Sequence, residues 1–266
     1  MTDVQLSVEN ITRSFGGVQA VNGARFEVER GSITALIGPN GAGKTTAFNL
    51  ISGFLHPDSG CVRFEGRRLE KMAPYAIARH GLVRTFQAPR VLTRMSVMEN
   101  LMLGAPGQPG ERLGMAWLVG SRSKREKEVR AQAESMLELV RMTHVANEYA
   151  GALSGGQRKL LEFGRALMAS PQMVLLDEPL AGVAPKLGEE LLDHIVSLRR
   201  DQGVTVLLIE HDMETVMSIS DRVVVMDEGV VIASGPPEDI QDNERVIEAY
   251  LGKLKPGSAA APTTTS

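Results

Sequence analysis

The sequence predicts an α/β fold in which helices flank a mainly parallel sheet. Short apolar runs, MVLLDE at 173–178 and VTVLLIEH at 204–211, alternate with the amphipathic segment KLGEELLDHIVSLRRDQ at 186–202. This alternation is typical of a parallel sheet, because parallel strands are joined by crossover helices. With 266 residues, of which 43% are hydrophobic, the chain is also long enough to bury a sizeable core.

The N-terminal part predicts an antiparallel β subdomain. Residues 4 to about 37 are patterned as strands with turns at 16–17 and 22–23, and the apolar run SITALIG at 32–38 enters a Gly-rich loop. A helix is predicted from Lys44 to about Ser52. Two further segments, CVRFEG at 61–66 and LVRTF at 82–86, predict strands.

From about residue 88 the sequence pattern changes from strands to helices. Periodic segments such as SKREKEVRAQAESMLELVRM at 123–142 predict an α-helical subdomain over about 88–165, inserted into the core. Near the end, RVVVMDEGVVIASG at 222–235 predicts a hairpin that turns at Glu228 and Gly229. The predicted domain spans 4–252, and the polar tail 253–266 is predicted to be disordered.

Composition disfavours several classes of protein. A net charge of −3 argues against a nucleic-acid binder, because phosphate contacts usually need a basic face. Cys61 is the only cysteine, so we expect no intrachain disulfide, a buried inert thiol and a reducing compartment. No apolar run reaches the roughly 18–20 residues of a membrane-spanning helix, and no signal peptide is recognisable. We therefore expect a cytoplasmic chain that reaches a membrane only through a partner.

A phosphate-binding loop is the strongest local motif. Residues 38–45, GPNGAGKT, match G-x-x-x-x-G-K-[ST] between an apolar strand and a helix. Its glycines let backbone N–H groups turn toward phosphate oxygens, and the helix N-terminus adds partial positive charge. Lys44 is expected to reach the β- and γ-phosphates of a nucleotide, and the Thr45 hydroxyl to bind Mg²⁺. The alternative is a chance Gly-rich turn before a helix, which the complete motif disfavours.

Four further polar residues follow apolar runs. Asp177 is expected to hold Mg²⁺ through water, and Glu178 to polarise the attacking water as a general base. Alone, this pair could be a solvated acidic turn. His211 is placed where it could contact a γ-phosphate, although a lone histidine at a strand end is usually structural or exposed, and no partner histidine favours zinc. Gln87, in isolation, is an ordinary polar residue after a strand.

Together these motifs resemble the ATP-binding subunit of an ATP-binding-cassette (ABC) transporter. GPNGAGKTT, Gln87, LSGGQ at 153–157, MVLLDEP and His211 occur in the order of that family, and the resemblance covers about 4–252. It implies a P-loop NTPase core with ATP and Mg²⁺ as cofactors. The nucleotide contacts that it implies are Phe15, which stacks on adenine, Gly38, Pro39, Asn40, Gly41, Ala42, Gly43, Lys44, Thr45, Thr46, Ser154, Gly155, Gly156 and Gln157. The implied Mg²⁺ residues are Thr45, Gln87 and Asp177, and the implied catalytic residues are Lys44, Gln87, Glu178 and His211.

LSGGQ raises the question of why one chain has a second anion site. Its Ser-Gly-Gly stretch offers N–H groups and a hydroxyl ahead of a helix, which favours an anion. A single γ-phosphate does not need two such sites from one chain. In the family that it resembles, this signature closes over ATP held by the opposite subunit. The resemblance therefore implies a head-to-tail dimer with two ATP molecules between the subunits.

Finer features resemble the larger ATPase subunit of branched-chain amino-acid importers. They include RTFQ at 84–87, IEHDM at 209–213 and RVIEAYLG at 245–252. The resemblance implies as partners transmembrane permease subunits, a second identical or related ATPase and, indirectly, a solute-binding protein, with no nucleic acid and a location on the inner face of the cell membrane. The alternatives are importers of urea, amides or other small molecules, a non-transport ABC ATPase, a phosphotransferase and a regulatory module that binds ATP without hydrolysing it. Ala184 stands where many members have an aspartate, which leaves the coupling between the two sites open.

Overall fold

The computed structural model describes residues 3–85, 90–107 and 119–251. The strands in these ranges are β1 (Val4–Phe15), β2 (Val18–Glu29), β3 (Ile33–Ile37), β4 (Ser59–Phe64), β5 (Arg67–Arg68), β6 (Leu82–Arg84), β7 (Met173–Asp177), β8 (Thr205–Ile209), β9 (Arg222–Asp227) and β10 (Val230–Gly235). The helices are α1 (Lys44–Ile51), α2 (Pro74–Arg79), α3 (Val97–Gly104), α4 (Val119–Leu139), α5 (Gly155–Leu167), α6 (Pro185–Gln202), α7 (Met213–Ile219), α8 (Pro237–Gln241) and α9 (Glu244–Leu251).

A six-stranded sheet in the order β10-β9-β3-β8-β7-β6 forms the centre of the fold. Its strands are parallel except β10, which returns beside β9 as the predicted hairpin. Every residue of β3, β7 and β8 is buried. Strands covered on both faces have short continuous apolar sequences, which explains why the runs around Leu175 and Leu207 predicted a parallel sheet correctly.

A second, four-stranded sheet in the order β2-β1-β4-β5 is antiparallel throughout. It confirms the predicted N-terminal antiparallel subdomain. Ile33, Ala35 and Ile37 of β3 belong to one apolar cluster, whereas Leu36 belongs to a second cluster with Phe48 of α1. Because alternate residues of a strand face opposite sides of the sheet, β3 and the helix after it are anchored in both cores.

Helices α3, α4 and α5 pack on one another, as expected for the helical subdomain. A Cβ atom on Gly104 would lie 2.4 Å from the carbonyl oxygen of Arg165, so α3 and α5 approach more closely there than a larger residue would allow. The bounds 88–165 of this subdomain and 4–252 of the whole domain stay predictions. Gln87 and the tail 253–266 lie outside the described residues.

Two expectations drawn from composition can be compared with this fold. Among the described helices, none combines the length and the apolarity needed to cross a membrane. Cys61 is 8% exposed and donates a hydrogen bond from Sγ to Glu9 Oε2 (3.0 Å). That hydrogen bond and burial both raise the pKa of the Cys61 thiol, which keeps it protonated and unreactive.

Candidate functional site

The phosphate-binding loop lies between β3 and α1 and borders a cavity of about 220 Å³. We call this space the phosphate cavity; its lining residues are Ala20, Asn40, Gly41, Ala42, Gly43, Lys44, Thr45, Thr46, Glu178 and His211. Strands β3, β7 and β8 are neighbours in the parallel sheet, so their carboxyl ends meet at one edge. That topology brings the loop together with the residues that follow β7 and β8.

Two glycines of the loop occupy positions that no other residue could take. Gly43 has φ 97°, and a Cβ atom there would lie 2.3 Å from the carbonyl oxygen of Ala20. Gly38 has φ 146°, and its Cβ would lie 2.0 Å from the carbonyl oxygen of Met226. Gly41, at φ 83°, has no described residue within 4 Å of the position that a Cβ atom would take. The glycines thus serve two needs, a left-handed backbone and close approach to neighbouring strands.

Lys44 begins α1 and is 6% exposed. Its Nζ donates hydrogen bonds to the carbonyl oxygens of Gly38 (2.7 Å) and Pro39 (3.0 Å). The carbonyl groups of the loop therefore surround the ammonium group of Lys44. Gly43, the N-cap of α1, has no side chain with which to cap the first-turn N–H groups, which leaves them to a ligand anion.

Glu178 and His211 meet across the phosphate cavity. His211 Nε2 lies 2.7 Å from Glu178 Oε1, although the two residues are 33 positions apart. Glu178 adopts φ 50°, and its N–H donates to the carbonyl of Ile209 at 3.0 Å. Strand β8 ends at Ile209, so His211 stands in the turn after the strand rather than at its end. The sequence indicated both residues separately but not their contact.

Arg84 is a site residue that sequence reasoning missed. Its Nη2 lies 2.8 Å from Asp177 Oδ2, with side chains only 6% and 2% exposed, and its Nη1 donates to Asn49 Oδ1 (2.6 Å) and Ser52 Oγ (3.0 Å). Burial lowers the pKa of the Arg84 guanidinium, and Asp177 opposes that shift. A charged residue at the end of the short apolar strand LVR was the signal that could have revealed it.

Asp177 and Thr45 offer oxygen atoms of the kind that bind a magnesium ion, although Asp177 does not line the phosphate cavity. Asp177 Oδ1 is buried and has no hydrogen-bond partner among the described residues, so it can accept from metal-bound water. Thr45 lines the phosphate cavity. No group of three or more His, Cys, Asp or Glu side chains in the described ranges is arranged to hold a metal. Mg²⁺ suits such a site, because it keeps several waters and shares its coordination with phosphates. Gln87 lies outside the described residues.

The LSGGQ signature forms the start of α5. Ser154 Oγ accepts from the Gln157 N–H (3.2 Å), while Gln157 Oε1 accepts from the Ser154 N–H (2.9 Å), so the two residues form a capping box. A Cβ atom on Gly156 would lie 2.6 Å from Leu187 Cδ2, so the helix start packs closely on α6. The described residues that line the phosphate cavity do not include Ser154, Gly155, Gly156 or Gln157.

One lysine of α5 nevertheless reaches the turn after β7 of the same chain, which carries Glu178. Lys159 Nζ donates to the carbonyl oxygen of Glu178 at 2.7 Å. Burial lowers the pKa of Lys159, and the carboxylates of Glu210 and Glu178 are the strongest opposing influences. The sequence offered no signal for this contact, because Lys159 follows the signature as an unremarkable helical residue.

Two other residues named from the sequence lie at the margins of the site. Phe15 is 43% exposed at the end of β1, with the Arg13 guanidinium 5.0 Å from its ring centroid, and it does not line the phosphate cavity. An exposed aromatic ring is available for stacking on a base. Ala184 is the N-cap of α6 and makes no side-chain capping bond, as its methyl group dictates.

Two family models match parts of this chain. A family model described as ABC transporter matches residues 21–181, and one described as branched-chain amino acid ATP-binding cassette transporter matches residues 230–253.

Curated relatives extend the similarity over nearly the whole chain. The high-affinity branched-chain amino acid transport ATP-binding protein BraF of Pseudomonas aeruginosa is 44% identical over 253 residues, covering 93% of this chain and 98% of the relative. A probable branched-chain amino acid transport ATP-binding protein, LivG of Archaeoglobus fulgidus, is 43% identical over 247 residues, covering 93% and 95%.

Solved structures of other cassettes also match nearly the whole chain. A nucleotide-free ATP-binding cassette from an ABC transporter is 38% identical with a TM-score of 0.79, covering 93% of this chain and 98% of the other. The ADP conformation of an ATP-binding cassette of an ABC transporter is also 38% identical, with a TM-score of 0.80 and coverage of 94% and 100%.

Proposed function

This chain belongs to the ABC transporter family, and from that premise we propose that it is the ATP-hydrolysing subunit of an importer for branched-chain amino acids. The single observation that carries the hydrolytic part is the phosphate cavity, where the loop and Lys44 face the hydrogen-bonded pair of Glu178 and His211. The solute rests on the names of the relatives and on the family model matched at 230–253. Importers of urea or amides are the alternative.

The residues divide the work of hydrolysis among them. The loop N–H groups and Lys44 bind the phosphates of ATP, where charge-assisted hydrogen bonds are strongest. Water attacks the γ-phosphorus, the bond to the bridging oxygen of ADP breaks, and Glu178 accepts the proton of the water. His211 orients the Glu178 carboxylate through Nε2 and lines the cavity in which the γ-phosphate would lie. Phe15 stacks on the adenine.

Thr45 and Asp177, with Gln87, would hold Mg²⁺, which when bound supplies positive charge beside the β- and γ-phosphates. Asp177 would act through water at its unpartnered Oδ1. Arg84 keeps the other oxygen in place and so fixes the direction in which Oδ1 is presented.

We infer that Ser154, Gly155, Gly156 and Gln157 bind the ATP of a second ATPase subunit, identical or related. This proposal is supported by their position, because these four residues are not among the described residues that line the phosphate cavity of their own chain. Closing an open dimer almost completely needs about 5.5 kcal/mol of differential binding. Each charge-assisted hydrogen bond made only in the closed dimer contributes about 1.5–3 kcal/mol, so two ATP molecules are sufficient.

The other partners follow from this role. Permease subunits in the membrane would receive the movement of the closing dimer, and a solute-binding protein would deliver the amino acid to them. The chain would then work on the inner face of the cell membrane, held there by the permease. No nucleic acid is needed.

Mixed dimers test the sharing of sites between chains. Pairing a Lys44→Ala chain with a Ser154→Arg chain leaves one intact site if the signature acts on the opposite subunit, whereas pairing a chain carrying both changes with a wild-type chain leaves none. We expect ATPase activity in the first pairing and almost none in the second. The reverse result would place loop and signature of one site in the same chain. Two different affinity tags isolate each pairing.

The solute is tested by uptake into membrane vesicles. We expect ATP-dependent uptake of labelled leucine, isoleucine and valine with the wild-type chain and none with Glu178→Gln. Uptake of urea but not of leucine would contradict the assignment of the solute and leave the ATPase assignment standing.

A further inference from the structure

A buried carboxylate joins the two turns that carry Glu178 and His211. Glu210 is the residue before His211 and is 5% exposed. Its Oε1 accepts a hydrogen bond from the N–H of Leu180 at 2.8 Å, and its Oε2 accepts one from the N–H of His211 at 3.2 Å. Because Leu180 follows Glu178 by two residues, one side chain holds the turn after β7 and the turn after β8 together.

The charges around Glu210 explain how it is accommodated. Burial raises the pKa of Glu210, whereas the two N–H groups and the Lys159 ammonium lower it; the Glu178 carboxylate acts in the same direction as burial. A buried carboxylate is unfavourable unless hydrogen bonds and a cation compensate it. Here the N–H groups of Leu180 and His211 supply the hydrogen bonds, and Lys159 of α5 supplies the positive charge. All three groups belong to segments that surround the candidate site.

The turn that Glu210 holds needs external support. Glu178 adopts φ 50°, a left-handed backbone conformation that residues other than glycine rarely adopt and that neighbouring contacts must maintain. Two such contacts are the hydrogen bond from Lys159 to the Glu178 carbonyl and the hydrogen bond from Leu180 to Glu210. Glu210 also fixes the start of the turn that presents His211.

We propose that Glu210 is a positioning residue for ATP hydrolysis, which holds the turns of Glu178 and His211 so that their side chains keep the 2.7 Å contact. The inference rests on the proposed function, because it takes the chemistry of Glu178 and His211 from there. Glu210 does not line the phosphate cavity. Its loss therefore slows turnover and leaves ATP binding in place.

The test compares Glu210→Gln with Glu214→Gln in the full chain. The first change keeps the shape of the side chain but replaces one accepting oxygen with an N–H₂ group, which cannot accept from the second turn. The second makes the same chemical change at an exposed position in the first turn of α7. We expect kcat of Glu210→Gln to fall about 10-fold to 100-fold with KM for ATP within about twofold of wild type, and Glu214→Gln to match wild type.

A second measurement separates positioning from loss of structure. Gel filtration with ATP should show a persistent dimer of Glu210→Gln, as for Glu178→Gln, because ATP is bound but slowly cleaved. A purely structural defect weakens nucleotide binding and traps no dimer, and that result overturns the proposal, as does a kcat equal to that of Glu214→Gln.

Glu210→Asp covers the case in which Glu210→Gln does not fold. Aspartate keeps the charge, but its side chain is shorter by one methylene group, so both oxygens move away from the N–H groups that they accept from. We again expect a lower kcat at unchanged KM for ATP. A kcat equal to that of the wild type overturns the proposal. Failure of the proposed function is distinguishable, because then the wild-type chain does not hydrolyse ATP or Glu178→Gln hydrolyses it normally.

Discussion

Replacing Arg84 by methionine tests the buried ion pair beneath the nucleotide site. Methionine fills much of the volume but leaves the Asp177 carboxylate, which is 2% exposed, without its cation. Removing one partner of a buried ion pair costs about 3–5 kcal/mol. Coulomb attraction between charges about 4 Å apart at an effective dielectric constant of about 20 gives a similar value, about 4 kcal/mol.

The expected result is a large fall in thermal stability. In a chain of this size each 1 kcal/mol shifts Tm by about 2–4 °C, so we expect Arg84→Met to lower Tm by about 6–20 °C in calorimetry. Arg200→Met is the matched control, because Arg200 pairs with Asp201 at 2.8 Å while the side chains are 68% and 54% exposed. An exposed pair contributes about 0–1 kcal/mol, so the control should lose no more than a few degrees.

A double replacement identifies the cause. Arg84→Met with Asp177→Leu removes both charges, so it should be more stable than Arg84→Met alone, since no carboxylate is then buried without a partner. The reasoning is refuted if Arg84→Met and Arg200→Met lower Tm equally, or if the double replacement is the least stable of all.

The remaining predictions concern the phosphate-binding loop and Glu178. Lys44→Ala should reduce phosphate release from ATP to background, because the ammonium held among the loop carbonyls is lost; near-normal release would remove the loop from the mechanism. Glu178→Gln should give dimers that persist with ATP in gel filtration, and monomers alone would contradict the closing of the dimer. Gly43→Ala should lower the free energy of unfolding by more than about 2 kcal/mol and abolish nucleotide binding, because its Cβ would lie 2.3 Å from a carbonyl oxygen. Gly41→Ala meets no neighbour within 4 Å in the described part of the chain, so it should cost only about 1–2 kcal/mol from its left-handed backbone. Equal losses for the two variants in urea denaturation would refute the steric argument.

The parts of the site that were predictable are local in the sequence. The phosphate-binding loop, its helix and the acidic end of β7 each consist of consecutive residues whose types and order carry the chemistry. The capping box of Ser154 and Gln157 is local in the same way, since its two residues are three positions apart. A single sequence displays such patterns completely.

The parts that were missed depend on residues distant in the chain. Arg84 and Asp177 are 93 positions apart, and Glu210 and Leu180 are 30 apart. The sequence neighbours of each side chain do not indicate which distant residue it contacts. Only the order of strands in the sheet brings them together, and no spacing rule within one segment predicts that order.

The sequence by itself therefore determined the fold class and the phosphate-binding loop, because short motifs and strand patterns encode them. It also indicated Glu178 and His211 as candidates for the site. Tertiary structure decided that Glu178 and His211 touch, that Arg84 neutralises Asp177, and that Glu210 and Lys159 hold the turn of Glu178. The physical reason is the parallel sheet. It aligns the carboxyl ends of β3, β7 and β8 at one edge, where side chains from separate segments converge and must neutralise one another's buried charge.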